Sequence, residues 1–189
     1  MANKDTVFGA RWVGSLSGET SARVRPYTVL ATDAVALFVG DFVVLTGTSS
    51  AGQDGIIRSV VAQAAAADET IVGFVVGFQP HPDYPNQIYR TASTLRTAYV
   101  CDDPFALFEI QEDGTFDADY VGENADIVVA AGSTVTGLSG MELDVSDHKT
   151  ATAQLRIIGV SPRPDNEVGD YTKLICMVNE HIYKRTAGV

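Results

Sequence analysis

Thr70-Ile71-Val72-Gly73-Phe74-Val75-Val76-Gly77-Phe78 is the stretch that decides the fold class. Its β-branched and aromatic side chains suit a pleated, half-buried surface. Gly73 and Gly77 inside it mark bulge or bend points. Moving outward, similar short runs recur on both sides. Upstream lie Tyr27 to Leu30, then Phe42 to Thr46 after a Gly40-Asp41 turn, then Ile56 to Val61 after the turn-rich span Gly47 to Gly55. Downstream lie Leu95 to Cys101 and Phe105 to Gln111, separated by Asp102-Asp103-Pro104, followed by Ile127 to Ala130, Ala153 to Val160 and Tyr171 to Val178. Glu112-Asp113-Gly114 carries a hairpin signal. Short strands between turn clusters predict an all-β fold, a single barrel or sandwich core with little helix.

Helix signals are few. Ala62 to Asp68 is the best, because alanine is the strongest helix former, but it spans only about two turns and has no amphipathic stripe. Asp117 to Asn124 and Ser146 to Thr150 read as single helical turns. Three prolines, Pro80, Pro82 and Pro85, keep His81 to Pro85 in extended backbone and out of a central strand, so this is a surface loop. Residues 1–22 are punctuated by Gly9, Gly14 and Gly18 and read as an extended N-terminal arm. Phe8 and Trp12 within it are too apolar for a solvated tail, so the arm docks on something, either a partner or its own barrel. The resulting division is an arm over 1–22, a β core over 23–183 and a C-terminal tail over 184–189.

Composition narrows the function. At 189 residues the chain can bury a core without disulfides or metals. Thirteen basic residues face 24 acidic ones, a net charge of −11, which repels nucleic-acid phosphates and anionic headgroups. Neither nucleic acid nor membrane is expected as a partner. Met1 to Asp5 has no apolar signal region, and no run reaches the ~20 apolar residues of a membrane helix. Synthesis in a host cytoplasm is the expectation. Cys101 and Cys176 sit in apolar runs and read as buried thiols.

Motifs for chemistry are weak. Gly47 to Gly55 lacks the Lys-Ser/Thr ending of a phosphate loop. No histidine pairs at helical spacing with another ligand, and Asp144, Asp147 and His148 read as a solvated turn. Asp117, Asp119, Glu123 and Asp126 miss calcium-loop spacing. Gly137-Leu138-Ser139-Gly140 is one residue short of a nucleophile elbow. Glu109 and Glu112 read as surface carboxylates. No catalytic residue, metal ligand or cofactor is assigned, and no enzyme is expected.

Two segments carry a resemblance. One is Asp102 to Gly114 (DDPFALFEIQEDG). The other runs through Thr136 to Asp144 (TGLSGMELD), Gln154 to Val160 (QLRIIGV), Arg163 to Gly169 (RPDNEVG) and Val178 to His181 (VNEH). Together, over roughly residues 70–183, they resemble small virion structural proteins of tailed bacteriophages, some of which are capsid decoration (cement) proteins. The resemblance implies a β-rich protein on the virion, bound to the major capsid protein and self-associating, with a homotrimer favoured. It supplies no active site.

The acidic charge suits the outer surface of a head, away from packaged DNA. Many weak contacts repeated over a lattice supply avidity without one tight site. Exposure and chemistry single out Phe8, Arg11, Trp12 and Arg23 as capsid-contact residues, with the Pro80 to Asn86 loop as a second surface. The rival readings are another virion part, such as a tail or head–tail connector component, and a ligand-binding β-barrel or polysaccharide-active enzyme. Copy number separates the first rival from a decoration protein. The second calls for an aromatic groove with convergent carboxylates, which a single Trp does not favour.

Overall fold

A computed structural model describes residues 3–67 and 69–184 of the chain, with the Asp147 side chain also outside that description. Residues 185–189, which make up all but Lys184 of the expected tail, therefore lie outside the described residues. The fold is all-β. Twelve strands are present among the described residues: β1 (Arg11–Ser15), β2 (Val24–Val29), β3 (Phe42–Ala51), β4 (Ile57–Gln63), β5 (Ile71–Phe78), β6 (Arg96–Cys101), β7 (Ala106–Gln111), β8 (Asn124–Ala125), β9 (Ile127–Val128), β10 (Glu142–Leu143), β11 (Leu155–Val160) and β12 (Lys173–Val178).

The strands form two packed bodies. Strands β2-β4-β3-β5-β6 make a closed barrel, in which β6 pairs antiparallel with β2 and β4 pairs parallel with β2. Strands β1-β7-β12-β11-β8 make an open sheet, and β9 with β10 forms a small ribbon. Barrel and sandwich, posed as alternatives by the sequence, are thus both present: a barrel with a sheet against its side.

Alternation along the strands builds two cores. Val29, Val43, Val61, Val72, Val75, Ala98 and Val100 fill the barrel. The opposite pleat positions, Phe42, Phe74 and Cys101, join Phe108, Ile110, Leu155, Ile157, Leu174 and Cys176 in the layer shared with the sheet. At its centre Phe108 meets Phe42 and Phe74 edge-on, with ring centroids 5.2 and 5.3 Å apart. Edge-to-face pairs of this kind contribute ~0.5–1.5 kcal/mol beyond area burial.

Both glycines of the deciding stretch sit beside irregularities. The register of β5 slips against β3 next to Gly73 and against β6 next to Gly77. At Gly73 the need is steric, since a Cβ there would stand 2.0 Å from the Cys101 carbonyl oxygen.

The expected arm is largely part of the sheet. Arg11–Ser15 pairs antiparallel with β7, Arg11 opposite Glu109 and Ser15 opposite Ala106. Phe8 and Ala10 are buried, and Trp12 packs against the shared core. Gly9 has φ +68°, and a Cβ on it would stand 2.4 Å from that of Ser139; the Ala10 N–H donates to the Gly40 carbonyl at 2.9 Å. Asn3 reaches the Glu167 and Asp170 carbonyls, and the Thr6 N–H donates to Gln111. Glycine here permits close backbone approach rather than looseness, so the docking site is the chain's own body and the core begins well before residue 23.

Other expectations also need correction. Ala62 and Gln63 end strand β4, and the residues described to Ala67 form no helix, because the barrel rewards pairing with β3 over alanine's propensity. Part of the turn-rich span, Gly47–Ala51, continues β3. Glu112-Asp113-Gly114 turns the chain but makes no hairpin, since β7 pairs with β1 and β12 instead. Single 3-10 turns at Ala118–Tyr120 and Val145–Asp147 correspond to the two expected helical turns.

Candidate functional site

Two buried arginines position the main exposed feature. Arg90 is fully buried, and its guanidinium donates to the carbonyls of Leu30 (2.6 Å), Asp33 (2.8 Å), Thr94 (2.9 Å) and Val35. Arg96, equally enclosed, donates to the carbonyls of Gln79 (2.7 Å) and Gln87 (3.0 Å) and to the Gln87 side chain. Together they tie the long connection from β5 to β6 onto the barrel. Burial lowers both guanidinium pKa values, while five N–H donors in a fixed fork let each hold several carbonyls.

On that support three segments meet. Residues 35–39, 84–89 and 129–138 contain no Asp, Glu, Lys, Arg or His. Phe38 stacks on Tyr89 at 5.0 Å between centroids, and Gly132 abuts the Phe38 ring. Gly137 abuts Ile88, and Val39 bridges to Leu138. A shallow hollow of 250 Å³ is lined by Val35, Ala36, Phe38 and Val129 to Ala131 with Gln63. Val35 on the hollow is 45% exposed, Ile88 against Gly137 is 51% exposed, and Val135 two residues before Gly137 is 87% exposed. An uncharged apolar face of this kind is a candidate for interaction, because charged residues are depleted where interfaces dehydrate. In the Pro80 to Asn86 loop Tyr84 is 65% exposed, and its ring lies 5.4 Å from that of His81.

Of the four residues chosen for contact, Phe8, Arg11 and Trp12 lie together on and beside β1. Phe8 is only 6% exposed, so the exposure on which its choice rested is absent. The Arg11 guanidinium lies 4.5 Å from the Phe8 ring centroid, and its side chain is 55% exposed. Trp12 is partly buried against the sheet core. Arg23 is exposed but precedes the barrel strand β2, whereas Arg11 belongs to the sheet.

The carboxylates read as surface groups are buried. Glu109 accepts the Ser161 hydroxyl at 2.6 Å and Arg163 Nη1 at 3.1 Å. Glu112 accepts the backbone N–H groups of Gly114 (3.0 Å) and Thr172 (3.1 Å), and burial raises its pKa. Asp102, inside the resemblance segment, is also buried; it accepts the Tyr27 hydroxyl at 2.7 Å and lies 3.3 Å from Arg25. These acids tie loops and strands together.

Asp144 accepts the Ser146 N–H, while His148 bonds Glu123 at 2.8 Å and stacks on Tyr120. Among the described residues no group of three His, Cys, Asp or Glu stands in a position to hold a metal ion, and no helix is long and apolar enough to cross a membrane. Both cysteines are free and buried; burial pushes the Cys101 thiol up to about 11 and raises that of Cys176 as well.

No family model, curated protein or solved structure matches the chain.

Proposed function

We propose that this chain is a non-enzymatic capsid decoration (cement) protein of a tailed bacteriophage. It binds the major capsid protein on the outer surface of the head, self-associates as a homotrimer and stabilises the shell. The observation that carries the reading is the uncharged apolar face built from residues 35–39, 84–89 and 129–138 on a body that otherwise carries an excess of acid. Such a face favours a protein surface over nucleic acid, which needs cations to release counterions. The resemblance of residues 70–183 to phage virion proteins supplies the kind of partner. Anchoring of the 79–95 connection by Arg90 and Arg96 keeps the face preorganised, which lowers the ordering cost of binding.

Heads lacking the protein, mixed with the purified chain and sedimented, test the reading. The wild-type chain should co-sediment and raise the temperature at which heads rupture. A doubly substituted Ile88→Asp, Val135→Asp chain, folded with unchanged melting, should lose at least tenfold in binding. Equal heat resistance with and without the chain removes the cement role. Full binding by the double variant moves the contact away from this face.

A further inference from the structure

The sheet carries a second feature of a different chemical kind. A cleft of about 380 Å³ lies between the N-terminal segment and the chain around β12, lined by Lys4, Thr6, Phe8, Arg11, Arg163, Asp165 and Lys173. Four of these seven side chains are cations, in a chain where acids outnumber bases 24 to 13.

The donors are only partly used. Arg163 is engaged, its fork on Asp165 (3.0 and 2.9 Å) and its remaining Nη1 on Glu109 (3.1 Å). Lys173 is 5% exposed and donates to the Lys4 carbonyl at 2.6 Å and the Tyr171 carbonyl at 3.1 Å, which uses two of its three hydrogens. Arg11 pairs with Glu109 only at 4.0 Å, beyond hydrogen-bond length; its guanidinium carbon lies 4.5 Å from the Phe8 ring centroid and its side chain is 55% exposed. Lys4 is exposed. The acids nearby are Glu109, Asp165 and Asp5, the last of which accepts Gln111 at 2.9 Å.

We propose that this cleft binds the side-chain carboxylate of an acidic peptide segment, held by the Arg11 fork with Lys4 and the remaining hydrogen of Lys173. The inference does not rest on the capsid reading. The cluster already shows its preference: Arg163, which lines the cleft, holds two carboxylates, those of Asp165 and Glu109, and the half-exposed Arg11 guanidinium offers the same donors with Glu109 only at 4.0 Å. A single negative charge is favoured over a phosphate dianion, because Glu109 and Asp165 stand close enough to repel the second charge. Burial and the neighbouring Arg163 both depress the Lys173 pKa, and an added carboxylate offsets both. The overall charge of −11 acts weakly at the cleft, since fields are screened beyond ~8 Å at physiological salt.

The test uses the full chain and a peptide of three glutamates with blocked ends, followed by amide chemical shifts at low and physiological salt. The triglutamine peptide and inorganic phosphate are the comparisons. Saturable shifts should appear at residues 4–11 and 163–173 with triglutamate, and not with triglutamine. Arg11→Ala should weaken binding at least fivefold and Lys4→Ala about threefold, whereas Arg11→Lys should retain part of it. Melting curves establish that each variant is folded. No saturable binding, shifts confined to other residues, or an Arg11→Ala chain that binds as tightly as wild type would each overturn the proposal. Phosphate binding tighter than triglutamate would overturn the choice of a carboxylate.

Discussion

At the scale of single residues, close approach and burial set the sharpest constraints. Gly73→Ala would drive a methyl group into the Cys101 carbonyl of the neighbouring strand. The expected cost is about 3 kcal/mol, the upper part of the range for overpacking, measured as a shift in denaturant midpoint. Arg90→Met keeps bulk but leaves the carbonyls of Val35 and Thr94 without the Arg90 donor, while those of Leu30 and Asp33 keep the N–H groups of Asp33 and Ser93. Unpaired buried groups cost ~1–3 kcal/mol each, so melting should fall by roughly 10 °C. The thiols of Cys101 and Cys176 should label slowly without denaturant, since only thiolate reacts and both pKa values are raised.

His181 gives a pH dependence with a definite sign. It is fully buried, accepts the Tyr183 N–H at 3.1 Å, and burial pushes its pKa down to about 4. Between its unfolded value near 6.5 and 4, the unfolded chain takes up a proton that the folded chain refuses. Stability from the neutral ring is therefore complete above pH 6.5 and falls by about 1.4 kcal/mol per unit as pH drops through that window. Buried Asp41, Asp102 and Glu112 have raised pKa values and act with the opposite sign. The histidine share is thus the stability difference between the wild-type and His181→Asn chains, which should shrink from pH 6.5 to pH 4.

At the scale of elements, the first strand is the instructive case. A chain starting at Ser21 loses Phe8, Ala10, Trp12 and all the pairing of β1 with β7. The two aromatics alone contribute about 2–3 kcal/mol each by burial. Melting should drop by more than 10 °C, or the chain should fail to fold; melting within a few degrees of full length would mean that the segment is dispensable. The segment's β character was hard to read because Arg11-Trp12-Val13-Gly14-Ser15 has little alternation and a bulge at Val13. Gly9 looks like loosening in sequence and acts as a close contact in three dimensions, whereas Gly14 and Gly18 stand in open space. By contrast, β5, β6, β7, β11 and β12 were legible, because each carries a dense run of apolar residues, continuous and buried in the first half of β5 and alternating with exposed positions in β11. The helix expected at Ala62 failed for the opposite reason: propensity is local, and the partner strand β3 is not.

At the scale of the whole molecule, the candidate face was only half legible. The Pro80 to Asn86 loop announced itself through its prolines. The fifteen residues from Ile127 to Met141 also carry no charge, a signal present in the sequence. Their meeting with Phe38 and Ile88 depends on Arg90 and Arg96, whose burial no local pattern reveals. Glu109 and Glu112 misled in the same way, since charge predicts exposure until a partner is known. The net charge leads to a further expectation: the chain should not retard duplex DNA in a gel even at 50 mM salt, and retention there would contradict the exclusion of nucleic acid.

The pairing of Arg11 with Glu109 also bears on how the chain comes off a ribosome. β1 must wait for a partner made about a hundred residues later, a delay of roughly 5–20 s at ordinary synthesis rates. During that interval Phe8 and Trp12 have nowhere native to go. Both the barrel seam and the sheet edge close late and over long loops, which places refolding in the slow millisecond-to-second class of all-β topologies. The chain would thus be most vulnerable to sticking to its own kind in the seconds before β1 is claimed.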